Sequence, residues 1–160
     1  MHSTLEYLER LIAFPTVSRD SNLALIDFVA DELRSLGIAA TLVHNEDGRK
    51  ANLWATIGPA NAQGVALSGH TDVVPVEGQN WSSDPFKLTS RGGNLLGRGS
   101  ADMKGFIASC LHLAHHAVKR KLHTPLHFAF SITNNCSRPF AASVSSSISN
   151  KLIKLIWSVC

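Results

Sequence analysis

Acidic side chains stop at Asp102: none of the residues from 103 to 160 is Asp or Glu, so the far end of the chain is purely basic although the formal net charge is only +3. A block of one sign sometimes marks contact with nucleic acid or a membrane surface. Here Lys119-Arg120-Lys121 more simply closes a helix, whose last turn favours cations, and neither nucleic acid nor membrane is expected as a partner. Cysteine is scarce and odd in number. Cys110, Cys136 and Cys160 show no paired spacing, which argues against a disulfide framework and for a reducing, cytoplasmic setting. No apolar run approaches the ~18 residues of a membrane span. The stretch from Leu152 to Trp157 is apolar but too short to cross one. Met1 leads almost at once into Ser3-Thr4-Leu5-Glu6, a capping box that opens a folded helix where a signal peptide would need an apolar core.

Several catalytic signatures are also missing. Without G-x-S-x-G, Ser68 and Ser100 lack the setting of a hydrolase nucleophile. Gly97-Arg98-Gly99 does not extend to a dinucleotide fingerprint, because Asp102 occupies the third glycine position. His112 and His116 stand four apart on one helix face, but the glutamate of H-E-x-x-H is absent and His115 points elsewhere. They read as surface or partly buried histidines, and Cys110 on the same helix as a core residue. His123 and His127 have no partner motif, and there is no internal repeat.

What is present is an alternation of helical and extended patterns. At 160 residues and 44% hydrophobic content the chain suffices for one domain core. Leu5, Leu8, Leu11 and Ile12 recur at helical spacing until Pro15, and Leu25, Ile26, Val29 and Leu33 do so in a helix from about Leu23 to Leu36, with Gly37 as its stop. Strands follow at Ile38–His44, after which Asn45-Glu46-Asp47-Gly48 turns, at Asn52–Ile57 and at Val65–Ser68. Phe86–Thr89 and Leu95-Leu96 flank Arg91-Gly92-Gly93-Asn94 as a hairpin. A helix over Met103–Val118 then precedes a strand at Leu126–Ser131. The order predicts an α/β layer with its site at the C-terminal ends of strands. From Ser137 the pattern is lost. The serine-rich stretch and apolar end predict a disordered or loosely attached tail, the mark of a shifted reading frame or of a natural flexible extension.

Two segments carry chemistry. In Leu67-Ser68-Gly69-His70-Thr71-Asp72, extended geometry puts His70 and Asp72 on the same side, an imidazole beside a carboxylate able to orient it as a metal ligand. In Gly97-Arg98-Gly99-Ser100-Ala101-Asp102-Met103-Lys104-Gly105, Asp102 is a candidate second ligand and also a natural N-cap for the following helix. Taken singly, the simpler readings are a strand end entering a polar loop and a helix cap.

Taken together, and with Leu11–Ser18, Lys50–Leu53 and Trp81–Phe86, these segments resemble the acetylornithine deacetylase family of zinc-dependent amidohydrolases and exopeptidases, which includes succinyl-diaminopimelate desuccinylase, aminoacylases and glutamate carboxypeptidases. The resemblance runs from about Leu5 to about Ser131. It implies that His70 ligates one metal, that Asp72 is the catalytic aspartate orienting His70, and that Asp102 bridges two ions of Zn2+ or Co2+. It also implies hydrolysis of N-acetyl-L-ornithine to ornithine and acetate in arginine biosynthesis, a small-molecule N-acyl amino acid as partner, and homodimers of the intact enzyme. The fold implied is the partial catalytic domain of a zinc exopeptidase, a mixed sheet flanked by helices, with the small inserted domain absent. Where the family carries two adjacent glutamates, a general base and a further ligand, this chain reads Ile132-Thr133-Asn134-Asn135. The expectation is therefore a truncated, inactive product: residues 1–131 from the catalytic domain and 132–160 an atypical tail. The alternative is a non-catalytic α/β fragment that binds at most one metal or associates with other chains.

Overall fold

The computed structural model of the chain describes residues 2–59 and 62–132; the tail expected to be loose lies outside them, as do Cys136 and Cys160. Three helices, α1 (Thr4–Ile12), α2 (Leu23–Ser35) and α3 (Gly105–Ala117), pack with a four-stranded sheet of order β1-β2-β6-β3. Its strands are β1 (Ala40–His44), β2 (Ala51–Ile57), β3 (Val65–His70) and β6 (Leu126–Ser131), with β4 (Thr89–Arg91) and β5 (Asn94–Leu96) forming a separate hairpin. β1 and β6 run antiparallel to β2, whereas β3 runs parallel to β6. The sheet is thus mixed, as the resemblance implied.

Each element follows from local chemistry. Ser3 and Glu6 close the capping box reciprocally, satisfying two backbone N–H groups at the start of α1. Leu8, Leu11 and Ile12 face the core, but Leu5 is 51% exposed and Tyr7 takes the inward position. α2 ends at Leu36 with Gly37 at φ +76°, a left-handed stop that costs glycine nothing. Gly92 and Gly93, both at positive φ, make the two-residue turn between β4 and β5. That hairpin starts later than the pattern predicts, at Thr89 in place of Phe86.

Side chains alternate across β2 and β6 because strand periodicity is two. Leu53, Ala55 and Ile57, with Phe128 and Phe130, join residues of all three helices in one core. Complete burial of a Phe or Leu contributes roughly 1.5–3 kcal/mol, so this face dominates cohesion. On the other face Trp54 stacks on His127 at 5.1 Å between ring centroids, and the Thr56 hydroxyl lies 2.9 Å from His127 Nδ1. Burial lowers the pKa of His127. Cys110 is buried in the core, as its place on the helix suggested, and burial pushes its thiol up to about 12.

One expectation fails. Asp102 is not the N-cap of α3: the helix begins at Gly105 after an irregular turn, Ser100–Lys104, in which Asp102 has φ −127° and ψ 93°. The capping position falls to Lys104, and no side chain caps the helix. Gly99 enters this turn at φ +82°, and a Cβ there would lie 2.7 Å from Val73 Cγ1. At Gly105 a Cβ would lie 2.4 Å from the Ser100 carbonyl oxygen. Only glycine permits both the left-handed entry and the close approach.

Candidate metal centre

β3 delivers His70 to the C-terminal end of the parallel pair, opposite Ser131 of β6. Beyond it the chain is bound on both sides by backbone and side-chain hydrogen bonds. Thr71 N–H donates to the Ser131 carbonyl at 2.7 Å, Val73 N–H to Thr16 at 2.9 Å, and Ser18 N–H back to Val73 at 3.0 Å. Thr16 Oγ1 donates to the Thr71 carbonyl at 2.7 Å. Asn22, fully buried, donates to the Ala51 carbonyl and to Thr71 Oγ1 and accepts from Ala51 N–H, at 2.8, 3.0 and 2.9 Å. Lys50 Nζ donates to the Ser18 carbonyl at 2.7 Å. The loop after β3 is therefore held by the segment from Thr16 to Asn22 at several points.

Within this frame the three predicted site residues come together. His70 Nε2 lies 2.9 Å from Asp102 Oδ1, and His70 Nδ1 lies 2.9 Å from the Asp72 backbone carbonyl. The Asp72 carboxylate stands farther back, 3.7 Å from Nδ1, and receives the Ser18 hydroxyl at 2.6 Å. So the nearest partner that orients His70 is the backbone oxygen of Asp72, not its side chain. A neutral imidazole has one N–H, yet both ring nitrogens here face oxygen acceptors. With the proton on Nδ1, the lone pair of Nε2 is turned towards a carboxylate oxygen, an arrangement that a cation between the two resolves. The donor chemistry fits a divalent metal, since imidazole nitrogen and carboxylate oxygen are both ordinary zinc ligands. The fit is partial. Among the described residues no three His, Cys, Asp or Glu side chains converge to hold one ion; Asp72 is behind the ring, and His70 and Asp102 fill two positions.

The two carboxylates differ sharply in setting: Asp72 is 2% exposed and the Asp102 side chain 85%. Beside them Lys104 is wholly buried, its Nζ donating to the Phe14 carbonyl at 2.6 Å, and burial lowers its pKa to about 8. The Arg98 guanidinium lies over the Trp81 ring at 4.9 Å.

Sequence reasoning assigned no role to Ser18, Asn22, Thr71 or Lys104. Ser18 closes the Leu11–Ser18 segment, Thr71 stands between His70 and Asp72, and Lys104 stands two residues after Asp102 in the second motif, so all three lay within motifs already singled out. Asn22 had no such signal, because its partners are backbone groups of a strand far along the chain.

Residues 66–138 match the model of peptidase family M20/M25/M40. The chain is 40% identical over 131 residues to an acetylornithine deacetylase of Pasteurella multocida, covering 78% of this chain and 34% of the relative. It is 37% identical over 150 residues to an acetylornithine deacetylase of Proteus mirabilis, covering 87% and 38%. It thus spans little more than a third of the length of these curated relatives. Among solved structures, an M20 family metallo-carboxypeptidase from Sulfolobus solfataricus superposes with a TM-score of 0.74 at 20% identity over 91% of this chain and 34% of that one. Human carnosine dipeptidase 1 does so with 0.73 at 24% identity over 89% and 34%. The structural matches establish the fold, and the sequence matches reach well beyond the two motifs: residues 66–138 are similar to peptidase family M20/M25/M40 and most of the chain is similar to about a third of the length of acetylornithine deacetylases.

Proposed function

We propose that this chain carries part of the active site of a metal-dependent amidohydrolase acting on N-acetyl-L-ornithine, releasing acetate and ornithine in arginine biosynthesis. The observation that carries this reading is the opposition of His70 Nε2 to Asp102 Oδ1 at 2.9 Å, with Nδ1 held by the Asp72 carbonyl. The similarity to acetylornithine deacetylases supports the substrate. His70 and Asp102 would hold zinc or cobalt, and Asp72 would position His70. What a divalent ion supplies when bound is polarisation of the acyl carbonyl and acidification of water. His70 presents its ring nitrogen, Asp102 supplies the anionic oxygen, and the Ser18 hydroxyl keeps the Asp72 carboxylate turned into the protein. No residue of this chain is assigned as the proton acceptor, since no Asp or Glu follows Asp102. The same gap favours a second reading, a non-catalytic α/β unit that binds a single ion. We place the protein in a reducing cytoplasm, which the unpaired Cys110 supports, and the intact enzyme as a homodimer. Among the described residues no helix is long and apolar enough to cross a membrane.

The test combines metal binding with turnover. Zinc titration of the dialysed 160-residue chain is expected to show a weak component lost in His70→Ala and Asp102→Ala and kept in His116→Ala. Acetate release from N-acetyl-L-ornithine is expected to stay at the metal-only blank. A chain continued with the acidic segment and remaining length of the matched deacetylases should hydrolyse the substrate, and Asp72→Ala should abolish this while leaving it folded. Zinc binding indifferent to both His70 and Asp102 would overturn the site. Cleavage of another N-acyl amino acid in preference to acetylornithine would overturn the substrate but not the family.

A further inference from the structure

We propose that His112 and His116 form a second zinc-binding site, separate from the His70–Asp102 pair, on the outer face of α3. The sequence pattern alone argued for unconnected surface histidines, but the side chains are arranged as a chelate. Residues four apart share a helix face. His112 Nε2 and His116 Nε2 stand 3.3 Å apart, with their rings edge to face at 4.8 Å between centroids. An ion ~2.0–2.1 Å from each nitrogen, the usual zinc–imidazole distance, would then see them at an angle of about 105–110°, the tetrahedral value that zinc takes. Square-planar coordination would need the nitrogens closer, so zinc fits better than cupric copper.

The tautomer of His112 is set as a ligand needs it, while His116 binds the ion with its proton moved from Nε2 to Nδ1. His112 Nδ1 lies 3.2 Å from the His2 backbone carbonyl, and only a protonated Nδ1 can donate there, which leaves the lone pair on Nε2 facing His116. Metal-bound histidines ordinarily have their second nitrogen secured in this way. The scaffold is rigid, because Leu111, Ala114 and Ala117 anchor the opposite side of α3 in the core. His115 turns away, its Nε2 2.6 Å from the Tyr7 hydroxyl, and takes no part. His112 is half-buried and His116 exposed, so water completes the coordination and the ion enters from solvent. The hydrogen bond from His112 to the His2 carbonyl couples this site to the segment just before α1. Zinc bound there stabilises the folded chain by mass action.

The experiment uses the full 160-residue chain, alone and as the His70→Ala/Asp102→Ala double variant, titrated with zinc against a colorimetric chelator and with cobalt by visible absorption. A component of zinc binding should persist in the double variant, with a change in cobalt visible absorption on binding. It should weaken about tenfold or more in His112→Ala and in His116→Ala. Zinc should raise the melting temperature of the double variant, and His116→Ala should remove that rise. If His112→Ala does not fold, His116→Ala, at an exposed position, decides alone. Zinc affinity and cobalt spectrum unchanged in His116→Ala, or no binding by the double variant, would overturn the proposal. Loss of the His70–Asp102 component alone leaves it standing.

Discussion

The loop after β3 and the turn before α3 each bring one aspartate to His70, and they are built in opposite ways. Asp72 sits in a buried segment bound by Thr16, Ser18 and Asn22, its carboxylate taken up by Ser18. Asp102 projects from an irregular turn shaped by Gly99 and Gly105, 85% exposed, with His70 as its partner. A buried segment held by its neighbours keeps the histidine oriented through the Asp72 backbone carbonyl whether or not an ion is present. An exposed one is suited to bind an ion and to be completed by groups from elsewhere. The difference predicts that stability resides in the first segment and metal affinity in both.

The sharpest way to break the contrast is Asn22→Ala. It strips partners from the Ala51 N–H and carbonyl at a fully buried point, each orphaned group costing roughly 1–3 kcal/mol, and leaves the Thr71 hydroxyl its bond to the Ser131 carbonyl. A loss of about 3 kcal/mol is expected in urea unfolding, with zinc affinity at His70 falling because the loop is freed. A loss below ~0.5 kcal/mol would show that the loop is not held by this residue.

Lys104 tests whether the turn is fastened from beneath. Its folded pKa of about 8 lies below the 10.5 of the unfolded chain. Between these values the unfolded state binds the extra proton, so this group makes stability rise with pH across that window, by up to about 3 kcal/mol. Cys110, raised from 9.0 to about 12, acts in the opposite sense above pH ~9, where the unfolded thiol loses its proton first. The difference between the native chain and Lys104→Met, measured by urea unfolding from pH 7.5 to 10.5, isolates the lysine. A flat difference would show that Lys104 is solvated.

A smaller effect separates the aspartates directly. Asp72→Ala should cost about 1–2 kcal/mol, because the Ser18 hydroxyl loses its short bond in a buried place. Asp102→Ala should change stability by less than ~0.5 kcal/mol, as exposed substitutions do, yet lower zinc affinity at least as much. Equal destabilisation by the two would erase the comparison. The least effect is expected from Leu5→Ala, within ~0.5 kcal/mol, because the side chain is half exposed. A cost like that of Leu11→Ala, of order 2–5 kcal/mol, would mean that α1 packs differently.

Much of the fold was legible because it rests on near-neighbour regularities. The helical spacing of Leu8, Leu11 and Ile12, the capping box at Ser3 and Glu6, the stop at Gly37 and the paired glycines at 92 and 93 act within a few residues. All stand where the pattern put them. The helix after Asp102 starts later than its pattern implies, because an aspartate where a glycine-rich turn runs into a helical segment is ordinarily its cap. Here Asp102 faces His70, and the close approach of Gly105 to the Ser100 carbonyl starts the helix two residues later. The candidate residues His70, Asp72 and Asp102 were nameable from spacing and resemblance, whereas Ser18 and Lys104 stood inside motifs with no role assigned and Asn22 was not distinguishable from other polar residues.

By itself the sequence determined which segments become helix or strand to within a few residues of their ends, that carboxylates end at Asp102, and that an imidazole and two carboxylates flank glycine-rich turns. These are properties of short windows, governed by periodicity, φ preference and composition. Only the tertiary structure decided that the Asp72 backbone, more closely than its side chain, meets Nδ1 of His70, that Asn22 ties a helix start to a strand and a loop, and that His112 and His116 turn their nitrogens towards each other. Those outcomes depend on distances between atoms far apart in the chain or on rotamers chosen by surrounding packing, and no local pattern encodes either.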